Sequence, residues 1–248
     1  MLLRSSLLAN QPGVLHGFTG RVGGVSEGQL SSLNLARRPG EQDRHLTENW
    51  RRVLHALGAP EARVAVANQV HGDRVLSGDG ATGPLEPLGD ADAVLVTRPG
   101  QLAAVRVADC VPVLLSAPGG VAAVHAGWRG TALGIVTRAV EALCDATGAA
   151  PAQISAAIGP CIGPCCYSVG EEVGQAVSQR AGDAGVLRRF GDTLYVDLAA
   201  ANESMLRHAG VWQVDTLAVC TRCSDEHFSH RGDGPDTGRQ IGIIGISP

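Results

Sequence analysis

Three short apolar runs in succession, 102–107, 113–116 and 121–124, constrain this chain more than any other stretch. Each has the length of a buried strand, and Pro118-Gly119-Gly120 supplies a turn between the second and third. Reactive side chains stand at the strand ends. Cys110 follows the first run and His125 ends the third, while His71 closes an earlier run over 64–70. Strand ends from one sheet region meet in space, so one cysteine and two histidines can converge. Such a trio fits a zinc site with an open fourth position, the form used in catalysis rather than in structural sites. Two other readings of the same residues stay open. Cys110 and His125 alone form a Cys–His nucleophile dyad, which has no need of His71. Lone histidines and cysteines at strand ends also serve simply as core residues.

The remaining pattern mixes strands and helices without strict alternation. Strands are expected at 14–18, 90–97, 154–158, 194–196, 211–219 and 241–246. Amphipathic helices are expected at 45–57, stopped by Gly58, and at 131–147, with Leu133, Val136, Val140, Leu143 and Cys144 as the buried stripe. Further helices are expected near 170–180 and from a cap at Asp197 to about 208. This order predicts an α+β or mixed α/β fold over a doubly wound sheet. Gly78-Asp79-Gly80-Ala81-Thr82-Gly83 spells a dinucleotide fingerprint, but Pro84 and a turn-rich stretch stand where the helix must start.

Composition removes whole function classes. The net charge is −4 with neither sign in runs, so there is no electrostatic footprint for nucleic acid. No apolar run approaches the ~20 residues of a membrane span. The first residues are short apolar pieces broken by Arg4, Ser5 and Ser6, which does not spell a secretory signal. Seven cysteines cannot all pair within one chain, and a reducing cytoplasm is the expected location. There is no H-x-E or HExxH, and two methionines leave a multicopper electron-transfer chain short of ligands. Cys220-x-x-Cys223 with Cys161 and Cys165 has a spacing open to a four-cysteine zinc site, to a redox pair or to idle thiols. Arg21 in the glycine-rich loop 19–26 and Arg129 just before the 131–147 helix are candidate anion ligands, and each reads equally as a surface charge.

Several of these motifs together resemble one family. Asn68-Gln69-Val70-His71, Ala108-Asp109-Cys110-Val111-Pro112 and His125-Ala126-Gly127-Trp128-Arg129-Gly130 are similar to the YfiH-type laccase-domain family. Gly159-Pro160-Cys161-Ile162, Cys166-Tyr167-Ser168-Val169-Gly170 and the tail from Phe228 to Arg239 follow in family order. That resemblance covers about residues 14–246 and implies a single catalytic domain over 1–248. It implies an α/β/β/α layered sandwich with mixed sheets, shared with the Cys–His deamidase domain of cytotoxic necrotizing factor. It further implies zinc on His71, Cys110 and His125, with copper as an alternative occupant in vitro. The implied activity is phosphorolysis of adenosine, inosine, guanosine and methylthioadenosine, with adenosine deamination alongside. The polyphenol oxidase label once attached to the family fits poorly with the missing copper ligands.

On this reading purine nucleosides and phosphate are the partners, and a monomer is the expected state. Arg21, Arg129 and Asn68 become candidate substrate contacts, with Asp109 and Asn68 as supports of the ligands. An amide hydrolase using Cys110, and a non-catalytic metal-binding protein, are the rival readings. Two departures from the family pattern bear on substrate preference. The tail reads His227-Phe228-Ser229-His230-Arg231-Gly232 where the family has Phe-Phe-Ser-Tyr-Arg-Arg, and Phe18-Thr19-Gly20-Arg21 replaces Phe-Ser-Thr-Arg.

Overall fold

The computed structural model describes residues 2–248. Two mixed sheets lie face to face. One runs in the order Leu2–Leu3, Val14–Thr19, Gln240–Ile246, Gln101–Val107, Arg63–Ala65, with only the last pair parallel. The other runs Gln213–Thr216, Ser155–Ile158, Val111–Ala117, Gly120–Ala126, Ala93–Val96, Val75–Ser77. Its two outer pairs are parallel and its interior is antiparallel. A small three-stranded sheet of Ser168–Val169, Thr193–Val196 and Leu187–Phe190 stands beside them.

The two-residue period of a strand sorts its side chains into layers. Ala103 and Val105 of one sheet meet Val94, Val96, Leu114, Val121, Ala123 and Ala157 of the other in a shared apolar layer. Their sequence neighbours face outward. Leu102, Ala104, Ile241 and Ile243 receive Trp50, Val53, Leu54 and Leu57 from the helix Asp43–Leu57. On the far side Ala93, Leu95, Val113, Leu115, Ala122 and Val124 receive Val136, Val140, Val177 and Ala201 from three further helices. Layers therefore stack helix, sheet, sheet, helix, as an α/β/β/α sandwich. Strands buried on both faces read as continuous apolar runs, which explains the central stretch. The layer between the sheets is built mostly from alanine and valine, consistent with only 3% aromatic residues. Phe18 is the large exception, and its ring occupies the space a Cβ on Gly159 would need.

Three expectations about elements change. The run over 64–70 ends as a strand at Ala65. Beyond it the Gln69 amide takes over the strand's role, donating to the Arg106 carbonyl at 2.7 Å and accepting from the Arg106 N–H at 2.8 Å. The backbone at His71 is thereby free to leave the sheet. The helix expected over 131–147 is two helices, Trp128–Leu133 and Ile135–Thr147, broken at Gly134 with φ 87°. The Arg180 guanidinium lies against Gly134, where a side chain would sit. The break turns Leu133 out to solvent, so it leaves the expected buried stripe and Ile135 enters it. The strand expected over 211–219 spans only Gln213–Thr216. Residues 78–83 leave the strand Val75–Ser77 through a turn and irregular chain, with no helix for a dinucleotide. No helix among the described residues is long and apolar enough to cross a membrane.

Candidate metal centre and active site

His71, Cys110 and His125 converge at one end of the sandwich. One nitrogen from each imidazole and the Cys110 sulfur all lie within 4.8 Å of one another. His71 Nε2 is 3.9 Å from Cys110 Sγ, and the two imidazoles meet edge to face with centroids 4.9 Å apart. His125 comes from the Gly120–Ala126 strand and is buried, Cys110 is half-buried and His71 is exposed.

Backbone geometry singles out the same place. Among the described residues only two non-glycines have positive φ, His71 at 60° and Asp109 at 86°. Each such residue costs on the order of 1–3 kcal/mol and persists where its surroundings enforce it. Both turns aim a ligand inward, and each is enforced by a buried carboxylate. Asp92 accepts the N–H groups of Val70 at 3.2 Å, His71 at 3.0 Å and Gly72 at 2.7 Å. It also accepts His125 Nδ1–H at 2.8 Å, which leaves His125 Nε2 facing Cys110. Asp109 accepts Thr221 Oγ1 and Ser229 Oγ, each at 2.7 Å, and the Arg231 N–H at 2.6 Å. The Cys110 turn is thus tied to the 221–231 tail.

The electrostatics follow from these contacts. Burial pushes the Cys110 thiol up, but the His125 and His71 imidazoles outweigh it and bring the pKa down to about 6. Burial pushes His125 down, and the Cys110 sulfur with the Asp92 carboxylate outweighs that, raising it to about 9. Burial would raise Asp92, yet His125 and the Gly72 and His71 N–H groups hold it below its ordinary value. Around neutral pH the trio is a thiolate beside an imidazolium.

A soft thiolate with two imidazoles is a donor set that suits zinc, and the space between the three is kept clear. A Cβ on Gly127 would stand 2.9 Å from His71 Cδ2 and 3.0 Å from Cys110 Sγ, so a glycine there keeps the ligands' convergence point open. Besides one other cluster, made of four cysteines, no group of three metal-ligating side chains occurs among the described residues. A multicopper centre would need more histidines than this.

A cavity of about 630 Å³ opens over the trio. Asn68, Gln69 and Arg129 line it together with His71, Cys110 and His125, whereas Arg21 does not. Arg21 instead reaches Asp233 at 3.4 Å and lies over the buried Phe228 ring at 4.8 Å. Asn68 points its amide at Asp90, 3.4 Å away. The cavity's other cations are Arg37, Arg38, Arg106, Arg231 and Arg239. Arg37 and Arg38 are paired with Asp43 and Asp236, while Arg106, Arg129, Arg231 and Arg239 have no carboxylate partner among the described residues. Two of these lie on aromatic rings that also line the cavity. Arg129 covers Trp128 at 4.5 Å and Arg231 covers Tyr167 at 5.2 Å. Burial, with Arg38 nearby, pulls Arg239 down to about 10.

Asp92, Gly127, Arg231 and Arg239 were not legible as site residues in the sequence. Asp92 stands in an ordinary strand opening, Asp90-Ala91-Asp92-Ala93, and its only signal was a carboxylate at a position that the strand buries.

The chain that carries this Cys–His–His trio is similar along its length to a known family. The family model for multi-copper polyphenol oxidoreductase laccase matches residues 15–247. A protein of Deinococcus radiodurans named purine nucleoside phosphorylase is 42% identical over 249 residues, 99% of this chain and 92% of its own length. One of that name from Streptomyces coelicolor is 39% identical, over 94% of this chain and 95% of its own. The crystal structure of YlmD from Geobacillus stearothermophilus superposes with a TM-score of 0.91 at 33% identity, covering 100% of this chain and 96% of that one. The chain belongs to this laccase-domain family, in its YfiH-type branch.

Proposed function

We propose that the chain is a zinc-dependent purine nucleoside phosphorylase, cleaving adenosine, inosine, guanosine and methylthioadenosine with phosphate to base and pentose 1-phosphate. The observation that carries this reading is the union of a three-ligand metal set with carboxylate-free arginines in one cavity. Relatives named purine nucleoside phosphorylase at 33–42% identity support it. His71, Cys110 and His125 would hold the zinc. When bound, it supplies Lewis-acid polarisation of an oxygen at its open position.

The protein's own part is binding and orientation. Arg129, Arg231 and Arg239 would hold phosphate and offset its charge as one oxygen forms a bond to the anomeric carbon. The glycosidic bond to the purine nitrogen breaks, and the proton that phosphate carries passes to the leaving base. Trp128 and Tyr167 would form apolar walls for the base. Asn68 sits at the rim and would bind a sugar or base polar group. Arg21, anchored on Asp233 and Phe228, would act by fixing the 227–233 tail that carries His230 and Arg231 into the cavity. Deamination of adenosine in the same cavity would instead place the purine C6 beside the trio, where water adds to C6 and the amino group leaves as ammonia.

The test is Arg129→Ala with phosphate varied at saturating nucleoside. Loss of phosphate saturation with a folded, metal-loaded protein supports the assignment, and an unchanged phosphate dependence refutes it. One observation favours a second reading. Cys110, His125 and Asp92 have the order nucleophile, base and orienting carboxylate of a cysteine amide hydrolase. That reading requires activity to survive complete metal removal.

A further inference from the structure

The chain has a second place where ligating side chains meet, away from the cavity. The parallel strands Ser155–Ile158 and Gln213–Thr216 end together at one edge of their sheet. Their following loops are held side by side, with the Cys161 N–H on the Val219 carbonyl at 3.2 Å and the Thr221 N–H on the Cys161 carbonyl at 3.0 Å. Each loop then makes a tight turn. In one the Cys166 N–H donates to the Gly163 carbonyl at 2.9 Å, and in the other the Cys223 N–H donates to the Cys220 carbonyl at 3.2 Å. The turns face one another, and the sulfurs of Cys165, Cys166, Cys220 and Cys223 lie within 4.8 Å of one another.

Cys161, paired with Cys165 on spacing alone, is not one of the four. Its side chain is buried in the core under the helices, and Cys166 takes the place expected for it.

We propose that Cys165, Cys166, Cys220 and Cys223 form a structural site for a thiophilic divalent metal ion, zinc being the metal it fits. A tetrahedral ion at about 2.3 Å from each thiolate needs sulfurs about 3.8 Å apart. Cys223 Sγ is 3.8 Å from Cys165 Sγ and 3.3 Å from Cys166 Sγ, so one sulfur faces two partners at once. A shared central ion satisfies that arrangement, whereas a disulfide must choose one partner and strand the rest. The surroundings are those of a thiolate site. The Gly163 N–H donates to Cys220 Sγ at 3.3 Å, and a Cβ on Gly163 would come within 3.3 Å of Cys165 Sγ and of Cys220 Cβ. The Arg222 guanidinium, between Cys220 and Cys223 in the chain, lies near enough to the Cys166, Cys220 and Cys223 sulfurs to offset the negative charge of a four-thiolate site.

Loading converts four thiols to thiolates and releases their protons to solvent. The ion would staple the 161–167 loop to the 219–223 loop. Tyr167, a cavity wall, follows directly, and Arg231 then binds Ser168 through its carbonyl at 3.1 Å. The site thus bears on one wall of the cavity without touching the Cys–His–His trio, and it does not depend on the proposed activity.

The experiment uses the full chain, reduced, loaded with zinc and freed of excess. Metal per chain is measured by atomic emission for wild type, Cys110→Ser and Cys166→Ser/Cys223→Ser, and cysteine alkylation is mapped by mass spectrometry with and without a chelator. Two zinc ions in wild type and one in each variant support the site. Cobalt in Cys110→Ser should show tetrathiolate charge-transfer and tetrahedral d–d bands. In wild type, zinc should shield Cys165, Cys166, Cys220 and Cys223 from alkylation, with Cys144 equally reactive in both states. No metal in a folded Cys110→Ser, or equal alkylation of the four cysteines with and without zinc, overturns the proposal. A disulfide among them that persists in the reduced, zinc-loaded protein overturns it as well. Should Cys110→Ser not fold, wild-type stoichiometry and the alkylation map decide.

Discussion

Asp92→Asn removes one charge and almost no volume, so its effect isolates the carboxylate. The four contacts divide two and two. One oxygen takes the His71 N–H and His125 Nδ1–H, and the other takes the Val70 and Gly72 N–H groups. An asparagine can present its carbonyl to only one of these pairs. With the NH2 toward His125, that imidazole must accept at Nδ1, which puts its proton on Nε2 and blocks metal ligation. With the NH2 toward Val70 and Gly72, two buried N–H groups lose their acceptor at about 1–3 kcal/mol each, and the strained His71 turn loosens. Either way one ligand is lost from its place. The expected outcome is a zinc affinity about 10–100-fold weaker, or roughly 1.4–2.7 kcal/mol. Competition against a fluorescent chelator at fixed pH measures it, with circular dichroism confirming the fold. Binding within twofold of wild type would show that Asp92 does not hold the ligands, and the argument from its four hydrogen bonds would be wrong.

Metal binding should be linked to pH through the trio. The metal needs thiolate Cys110, already formed above about 6, and neutral His125, which requires pH above about 9. Between those values His125 must give up about one proton per ion, so affinity should rise about tenfold per pH unit. Calorimetry in buffers of different ionisation enthalpy, on Cys166→Ser/Cys223→Ser so that only the trio loads, counts that proton, and none released at neutral pH would contradict the imidazolium assignment. Gly127→Ala should weaken zinc binding at least tenfold with little change in unfolding midpoint, because the added methyl enters the ligand recess. Equilibrium dialysis checks it. Gly159→Ala should do the opposite, lowering stability by about 1–3 kcal/mol in urea unfolding, since Phe18 fills that space between the sheets.

The sequence carried the approach of Cys110 to His125 because strand ends are written in it twice, as apolar runs and as the turn residues that stop them. His71, by contrast, stands beyond the strand end at Ala65 and arrives through the turn that Asp92 holds. It also carried the helix Asp43–Leu57 and its stop, since Gly58 adopts φ 80° at the cap. What it hid depends on contacts between distant segments. Asp92 gains its role from a loop 20 residues away, and Arg231 from a turn 122 residues away. The break at Gly134 was hidden because a glycine inside a helical pattern does not by itself end a helix, and here Arg180 occupies the space beside it. Spacing paired Cys161 with Cys165, whereas adjacent Cys165 and Cys166 both reach the opposite turn. The layer order likewise required strand pairing, which period and length alone leave open.

The proposed function is phosphate-dependent cleavage of a purine nucleoside at the Cys–His–His trio. Zinc-loaded protein incubated with adenosine, with and without phosphate, and the products separated by chromatography, tests it most directly. Adenine and ribose 1-phosphate formed only with phosphate, and abolished in His71→Ala, is the predicted result. No product from any purine nucleoside, with zinc present at His71, Cys110 and His125, would contradict the claim and leave the Cys110 amide hydrolase to be tested.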